Sequence, residues 1–283
     1  MTTASGRGAR DLVRQLVAPA KEGHLCGDEA CHDASVDDIV VGAVLDAVRE
    51  RAGVSLASAA ACVGVREARI LRLEAGRAMW APEHALALAD RYAMADEEVV
   101  EMGQLFVPRH HHTLPDIGAV PSTRLAALEA RASKIRVASR SVPPFLYGWD
   151  SGSRLLTGQR QRPWPGCPVT LLWDDVALEF GEADTARSAA RLRHLAAMAV
   201  AGVLDFRILI PDYGLPFEPV GSELTFDDGP LVFAQEESLM VTYSNGPHAR
   251  WKSTSLDTQL AAALGPGESL AALQGAAQRF EQA

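Results

Sequence analysis

VGAVLDAVRERAGVSLASAAACVGVREARILRLEAGR, residues 41–77, decides the fold of the first third of the chain. Val41, Val44, Leu45 and Val48 recur at helical spacing and give a first helix one apolar face. Gly53 ends it, because glycine enters the left-handed region without strain. Ser55 then caps a second helix with the apolar stripe Leu56, Ala59, Ala60 and Val63. Gly64 makes the next turn. A third helix follows, with Val65, Ile70 and Leu73 facing inward and Arg66, Glu67, Arg69 and Arg72 facing out.

Two helices joined by a tight glycine turn, the second presenting charge, form the helix-turn-helix pattern. GVREARILRLEAGR resembles the recognition helix and following turn of XRE-type (Cro-like) helix-turn-helix regulators, through Gly64, Val65, Ile70, Arg72, Leu73, Glu74, Gly76 and Arg77. The upstream VRERAGVS resembles that family's Leu-Arg-Glu-x-x-Gly-Leu-Ser. The resemblance implies a third helix docked in the major groove of a double-stranded DNA operator, read by a homodimer. Arg66, Glu67 and Arg69 are then placed for base edges, and Ser55, Arg72 and Arg77 for phosphates. This chain also departs from the pattern. Leu56 stands where the family carries a polar residue, often Gln. Leu71 replaces Ser, and Ala75 replaces a basic or polar residue. Each change removes a hydrogen-bond donor from the DNA-facing side.

Charge weighs against a strongly electrostatic DNA binder. The 283 residues carry a formal net charge of −9, whereas a nucleic-acid-binding domain usually shows a basic excess. Asp38–Arg91 is neutral, with seven Arg against seven Asp or Glu; Gly64–Arg77 has four Arg against two Glu. The non-specific contribution to binding is therefore expected to be modest and salt-sensitive. No apolar run approaches the roughly 20 residues of a membrane span, and MTTASGRGARDLVRQL lacks the apolar core of a signal peptide. A cytoplasmic protein with no membrane partner is expected, its four cysteines present as thiols. His24, Cys26, Cys31 and His32 lie close in sequence, but Cys-x4-Cys-His matches no compact zinc finger. His110, His111 and His112 are adjacent, so their side chains are expected to point apart and not to converge on one ion. No metal and no cofactor are expected.

MWAPEHALALADRYAM predicts a fourth helix, with Pro82 in its first turn and Ala85, Leu88, Ala89 and Tyr92 inside, and Trp80 plugging the edge of the bundle. DEEVVEMGQLF predicts a fifth, capped by Asp96. PRHHHTLPDIGAVPS reads as a linker. Beyond it, Arg124–Arg140 is expected as a helix with Leu125, Leu128, Ala132 and Ile135 inward, and VPPFLYGWDSGSRLL as a proline turn and short helix. VTLLW, FRILI and LMVTY are expected as strands, and ELTF and PLVFA as a hairpin around Asp227-Asp228-Gly229. Helices are expected at Asp184–Ala201, Ser255–Leu264 and Glu268–Gln282. The fold class is a mainly α helix-turn-helix domain of five helices followed by an α+β domain. The expected division is 1–36 as an N-terminal extension, 37–107 as the helix-turn-helix domain, 108–122 as the linker, and 123–283 as an α+β ligand- or partner-binding domain.

Residues 125–273 resemble the antitoxin-like C-terminal domain, of unassigned function, that follows XRE-type domains in many actinobacterial regulators. LEARASKIRV, PPFLYGWDSGSRLL, Arg160-Gln161, LLWDDVAL, SAARLRHLAAM and AALGPGESLAAL carry the likeness. Asp175 stands where that family has Glu, and Leu146-Tyr147-Gly148-Trp149 replaces its Leu-Leu-Gln-Thr.

No nucleophile elbow, P-loop, HExxH or dinucleotide fingerprint occurs. Asp174 and Asp175 close a strand but point to opposite faces; Asp175 and Glu236 are the carboxylates an enzyme would use. Trp149, Trp173, Asp175, Tyr213, Phe217 and Trp251 are candidates for an apolar ligand pocket. The leading expectation is a sequence-specific DNA-binding transcription regulator whose C-terminal domain dimerises or senses a small-molecule effector or a small partner protein. One alternative is an enzyme or small-molecule-binding protein of specialised metabolism built on this scaffold. The other is an antitoxin-like interaction module.

Overall fold

A hydroxyl and a carboxylate start the first helix. Ser35 Oγ accepts from the Asp38 amide at 3.2 Å, and Asp38 Oδ2 accepts from the Ser35 amide at 3.1 Å, a capping box for α1 (Val36–Arg51). The computed structural model describes residues 35–106, 113–117, 121–148, 162–179, 185–211, 216–227, 229–237 and 240–283. Two compact units result. The first takes the chain through Leu128 with Asp228–Pro230 and Glu236–Gly246; the second takes Glu129–Asp227, Leu231–Gln235 and Pro247–Ala283.

In the first unit, α1 is followed by α2 (Leu56–Val63), α3 (Glu67–Glu74), α4 (Pro82–Arg91) and α5 (Asp96–Gln104). Their stripes meet in one core containing Val41, Leu45, Val48, Ala59, Ala60, Ile70, Leu73, Ala85, Leu88, Ala89, Val99 and Met102. Full burial of each larger aliphatic contributes about 1.5–3 kcal/mol against the entropy of ordering the chain. The fifth helix is not capped by Asp96 as its composition suggests. Asp96 is the first helical residue, and the Ala95 amide before it donates to Glu98 Oε2 at 3.2 Å. Trp80 is buried, and its amide donates to Asp38 Oδ1 at 2.8 Å, tying the loop before α4 to the start of α1.

Within 108–122, the stretch read as linker, Thr113–Ile117 is a strand, β1. It pairs antiparallel with β7 (Met240–Ser244), with Leu114 opposite Tyr243, both fully buried. Its prolines and neighbouring histidines hide this short alternation. Arg124, in α6 (Pro121–Arg131), fastens the strand. Its Nε donates to Asp116 Oδ2 at 2.7 Å and its Nη1 to Glu101 Oε2 of α5 at 2.8 Å.

The helix expected over Arg124–Arg140 ends at Arg131, and Lys134–Ala138 is strand β2. Ile135 and Val137 are buried while Arg136 between them is half-buried, a period of two rather than 3.6. Leu125, Leu128, Ala132 and Ile135 mimic a helical stripe, but β-branched Ile135 and Val137 suit a pleated surface.

The second unit also holds β3 (Val169–Asp174), β4 (Leu204–Leu209), β5 (Gly221–Thr225) and β6 (Val232–Glu236), and its strands run in the order β6-β5-β2-β3-β4. β2, β3 and β4 are parallel, with Ile135 beside Val169 and Val169 beside Leu204. β5 is antiparallel to both β2 and β6, with Leu224 opposite Ile135 and Val232. Parallel strands need a crossover, and α7 (Thr185–Val200) supplies it between β3 and β4. One face of these strands, carrying Ala138, Leu172 and Leu209, packs with Phe217, Val220, Phe233 and with Ala249 and Leu256 of α8 (Gly246–Ala262). The other face carries Trp173 and Phe206 in edge contact at 5.8 Å, with Arg191 of α7 over the Trp173 ring. α9 (Pro266–Gln282) runs beside β4 and is tied to it where the Ile208 amide donates to Ser269 Oγ at 3.1 Å.

Candidate nucleic-acid interface

The segment from Ser55 to Arg77 is held from both ends. Ser55 Oγ accepts from the Ser58 amide at 3.2 Å and starts α2. Gly64 ends it at φ +70, a conformation natural to glycine, and the Val65 amide returns to the Ala60 carbonyl at 3.0 Å. α3 begins at once, with Arg66 at the N-cap position. Its C-terminal turn lies hard against α1. A β-carbon on Gly42 would sit 2.5 Å from the Leu73 carbonyl oxygen and 2.8 Å from that of Glu74. Arg49 of α1 donates from Nε to Glu74 Oε1 at 2.8 Å and from Nη2 to Glu74 Oε2 at 3.1 Å, and also reaches Asp46 and the Val54 carbonyl. One guanidinium thus locks α1, the turn after it, and the end of α3.

Residues 40–102 match the family model of a helix-turn-helix domain.

The match runs from within α1 into α5 and so spans the whole helical core. No curated protein matches the chain. In the helix-turn-helix domain, Ser55, Arg66, Glu67, Arg72 and Arg77 are exposed, and Arg69 is half-buried. Glu67 and Arg72 therefore border the exposed arc of α3, Arg66 stands exposed at its N-cap, and Arg69 lies toward the flank. Ser55 is engaged as a cap, and its hydroxyl sits at the start of α2, where backbone amides also point outward. A surface of this kind offers charged donors on a rigid helix, the form that enters a major groove.

Arg49 and Asp38 are the structural residues that reading by motif overlooks. A signal for the first was present. Glu74 falls on the stripe of Ile70 and Leu73, and a carboxylate on an apolar stripe requires a partner. Burial raises the pKa of the Asp38 carboxyl, opposed by its bonds to Ser35 and to the Trp80 amide.

The ligand pocket expected in the second unit does not assemble from its described members. Phe217 packs on the face of Leu172, whereas Trp173, one residue on, faces the opposite side of the strands with Phe206. Trp251 is 56% exposed, on the surface of α8 beside His248. Trp149 and Tyr213 lie outside the described residues, as do His24, Cys26, Cys31, His32 and His110–His112. Asp175 is half-buried at the start of a 3-10 turn, Asp175–Leu178, and Glu236 is exposed at the end of β6.

A different group gathers at the carboxyl ends of the parallel strands. Arg140 Nε donates to Asp174 Oδ2 at 2.8 Å, and its guanidinium lies 5.6 Å from the centre of the Phe217 ring. Asp174 is fully buried and also accepts from the Ala177 amide at 3.1 Å. Ser139 and Ser141 are bonded to each other beside it. Among the described residues, no group of three or more His, Cys, Asp or Glu is placed to hold a metal ion, and no helix is long and apolar enough to cross a membrane.

Proposed function

We propose that this chain is a cytoplasmic, sequence-specific transcription regulator of XRE type that reads an operator in double-stranded DNA as a homodimer. The observation that carries the reading is the outer side of α3. Glu67 and Arg72 border it and Arg66 stands exposed at the N-cap, while Arg49 and Glu74 hold the inner side of the helix against α1. Arg66 and Glu67 face base edges, with Arg69 at the flank, and Ser55, Arg72 and Arg77 face phosphates. Two half-sites about one helical turn apart would match a two-fold dimer.

The second unit serves as the sensor or dimerisation part. In open α/β sheets, ligands bind outside the carboxyl ends of parallel strands. Arg140, Ser139, Ser141 and Asp174 stand at those ends here, and support a small-molecule effector at that place. Such an effector acts only by binding one state of the regulator better than the other.

The test is recovery of genomic DNA fragments by the purified full chain, with the Arg66→Ala/Arg72→Ala variant in parallel. Enrichment of one dyad-symmetric sequence by the parent and its loss in the variant is expected. Equal recovery of all fragments by both proteins overturns the reading.

A further inference from the structure

The outermost stripe of α3 is apolar at its centre. At 100° per residue, Ile70, Leu73 and Glu74 define the buried side, and the exposed arc runs from Glu67, next to Glu74, through Leu71 and Ala68 to Arg72. All four are exposed, and Leu71 is 51% exposed although it is a large aliphatic side chain. A single exposed leucine means little on a protein surface. This one stands between Glu67 and Ala68, in the middle of the exposed arc of α3.

Charge decides what covers it. Between Gly64 and Arg77 the acids are Glu67 and Glu74, and Glu74 is buried against Arg49. Arg66, Arg72 and Arg77 are exposed in the same short segment as Leu71, with Glu67 as its exposed acid. The surroundings of the aliphatic patch thus favour a polyanion. In a major groove, an aliphatic side chain has one complementary feature, the C5-methyl group of thymine. We infer that Leu71, with the methyl of Ala68 beside it, reads thymine methyl groups, so that each half-site carries thymine at the positions beneath these residues. The inference rests on the DNA-binding reading above and specifies what that surface selects.

Deoxyuridine tests it without altering the protein. It keeps every hydrogen-bonding group of thymine and lacks only the methyl. With the full chain and the enriched duplex, each thymine of a half-site is replaced in turn and affinity is measured by fluorescence anisotropy. One or two replacements per half-site are expected to weaken binding about threefold to fivefold each, the size of burying one methyl-sized group. Leu71→Ala, tolerated by an exposed helical position, is expected to weaken binding to the thymine duplex and to lose most of the deoxyuridine effect. Arg77→Ala is expected to weaken binding to both duplexes by the same factor. If every replacement leaves the parent's affinity unchanged while specific binding persists, the inference fails and the DNA-binding reading stands. If Leu71→Ala changes only the sedimentation coefficient, the patch joins two copies of the chain and the inference also fails. If no duplex is enriched at all, both readings fall together.

Discussion

The Arg49 guanidinium faces the Glu74 carboxylate side-on, with Nε to Oε1 at 2.8 Å and Nη2 to Oε2 at 3.1 Å, across 25 residues of sequence. Glu74 is almost wholly buried, and the guanidinium is nearly so. Hydrogen bonding to Glu74 raises the Arg49 pKa, which keeps the cation charged. Desolvation offsets much of the attraction in such a pair, so its net contribution is small, yet removing one partner strands the other. Arg49→Met is expected to destabilise the first unit by about 3–5 kcal/mol. Arg49→Met/Glu74→Leu should recover most of that loss. Urea unfolding, followed by hydrogen exchange of α1 and α3 amides, measures both; simple additivity of the two single changes would show that the pair is not coupled.

Gly42 sets two effects against each other. In an exposed helix interior, alanine is better than glycine by about 0.8–1.0 kcal/mol. Here the added methyl would meet the Leu73 and Glu74 carbonyl oxygens at 2.5 and 2.8 Å, and helix backbone does not step aside cheaply. Overpacking of this kind costs about 1–3 kcal/mol. Gly42→Ala is therefore expected to lower stability despite its propensity. Gly275→Ala, in α9 where the nearest atom is Arg279 Nη1 at 3.9 Å, is expected to raise it. Stabilisation by both changes in thermal unfolding would contradict the close approach of α1 and α3.

The helical part was legible because its signals are local. Ser55, Gly64 and Pro82 sit at the starts and stops their chemistry favours, and the stripes at Val41–Val48 and Ala85–Tyr92 turn inward as their spacing demands. The stripe showed that Glu74 needs a partner but not which one, because Arg49 finds Glu74, and Asp38 finds the Trp80 amide, only after the chain has turned back on itself. Lys134–Ala138 misled because an apolar residue three places beyond Ala132 fits a helix as well as a strand; the deciding partner, Thr225, lies far along the chain. Two described members of the expected aromatic pocket are parted for a related reason: the alternation of the β3 strand sends Trp173 and Leu172, against which Phe217 packs, to opposite faces.

Asp38 gives the first unit a pH response. Burial raises its folded-state pKa above the ordinary value, so the native state holds the proton more firmly than the unfolded chain does. The sign follows from linkage: its contribution to stability is complete below the unfolded value, near about 3.9, and is lost as pH rises through the folded pKa. Asp38→Asn keeps an acceptor for the Trp80 amide and removes the titration. The stability of the parent minus that of Asp38→Asn is expected to fall as pH is raised from the acid side of this window. A difference that stays flat, or grows with pH, would mean that bonding to Ser35 and Trp80 outweighs burial.

The same arginines that flank α3 set how binding responds to salt. The chain as a whole carries a net charge of −9, and the helix-turn-helix stretch is only locally basic, so long-range attraction to DNA contributes little. Affinity must then come from a few close contacts. Each phosphate contact adds about 0.9 to the slope of log affinity against log salt. Arg77→Ala and Arg72→Ala are each expected to weaken binding about equally for operator and random duplex, and to lower that slope by about one. Arg66→Ala is expected to behave differently, costing about 1–3 kcal/mol on the operator alone and relaxing discrimination at one base pair. Titrations at several salt concentrations separate the two classes. If Arg77→Ala and Arg72→Ala leave the slope unchanged, neither side chain meets a phosphate, and the docking of α3 must be turned about its axis from the arrangement proposed here.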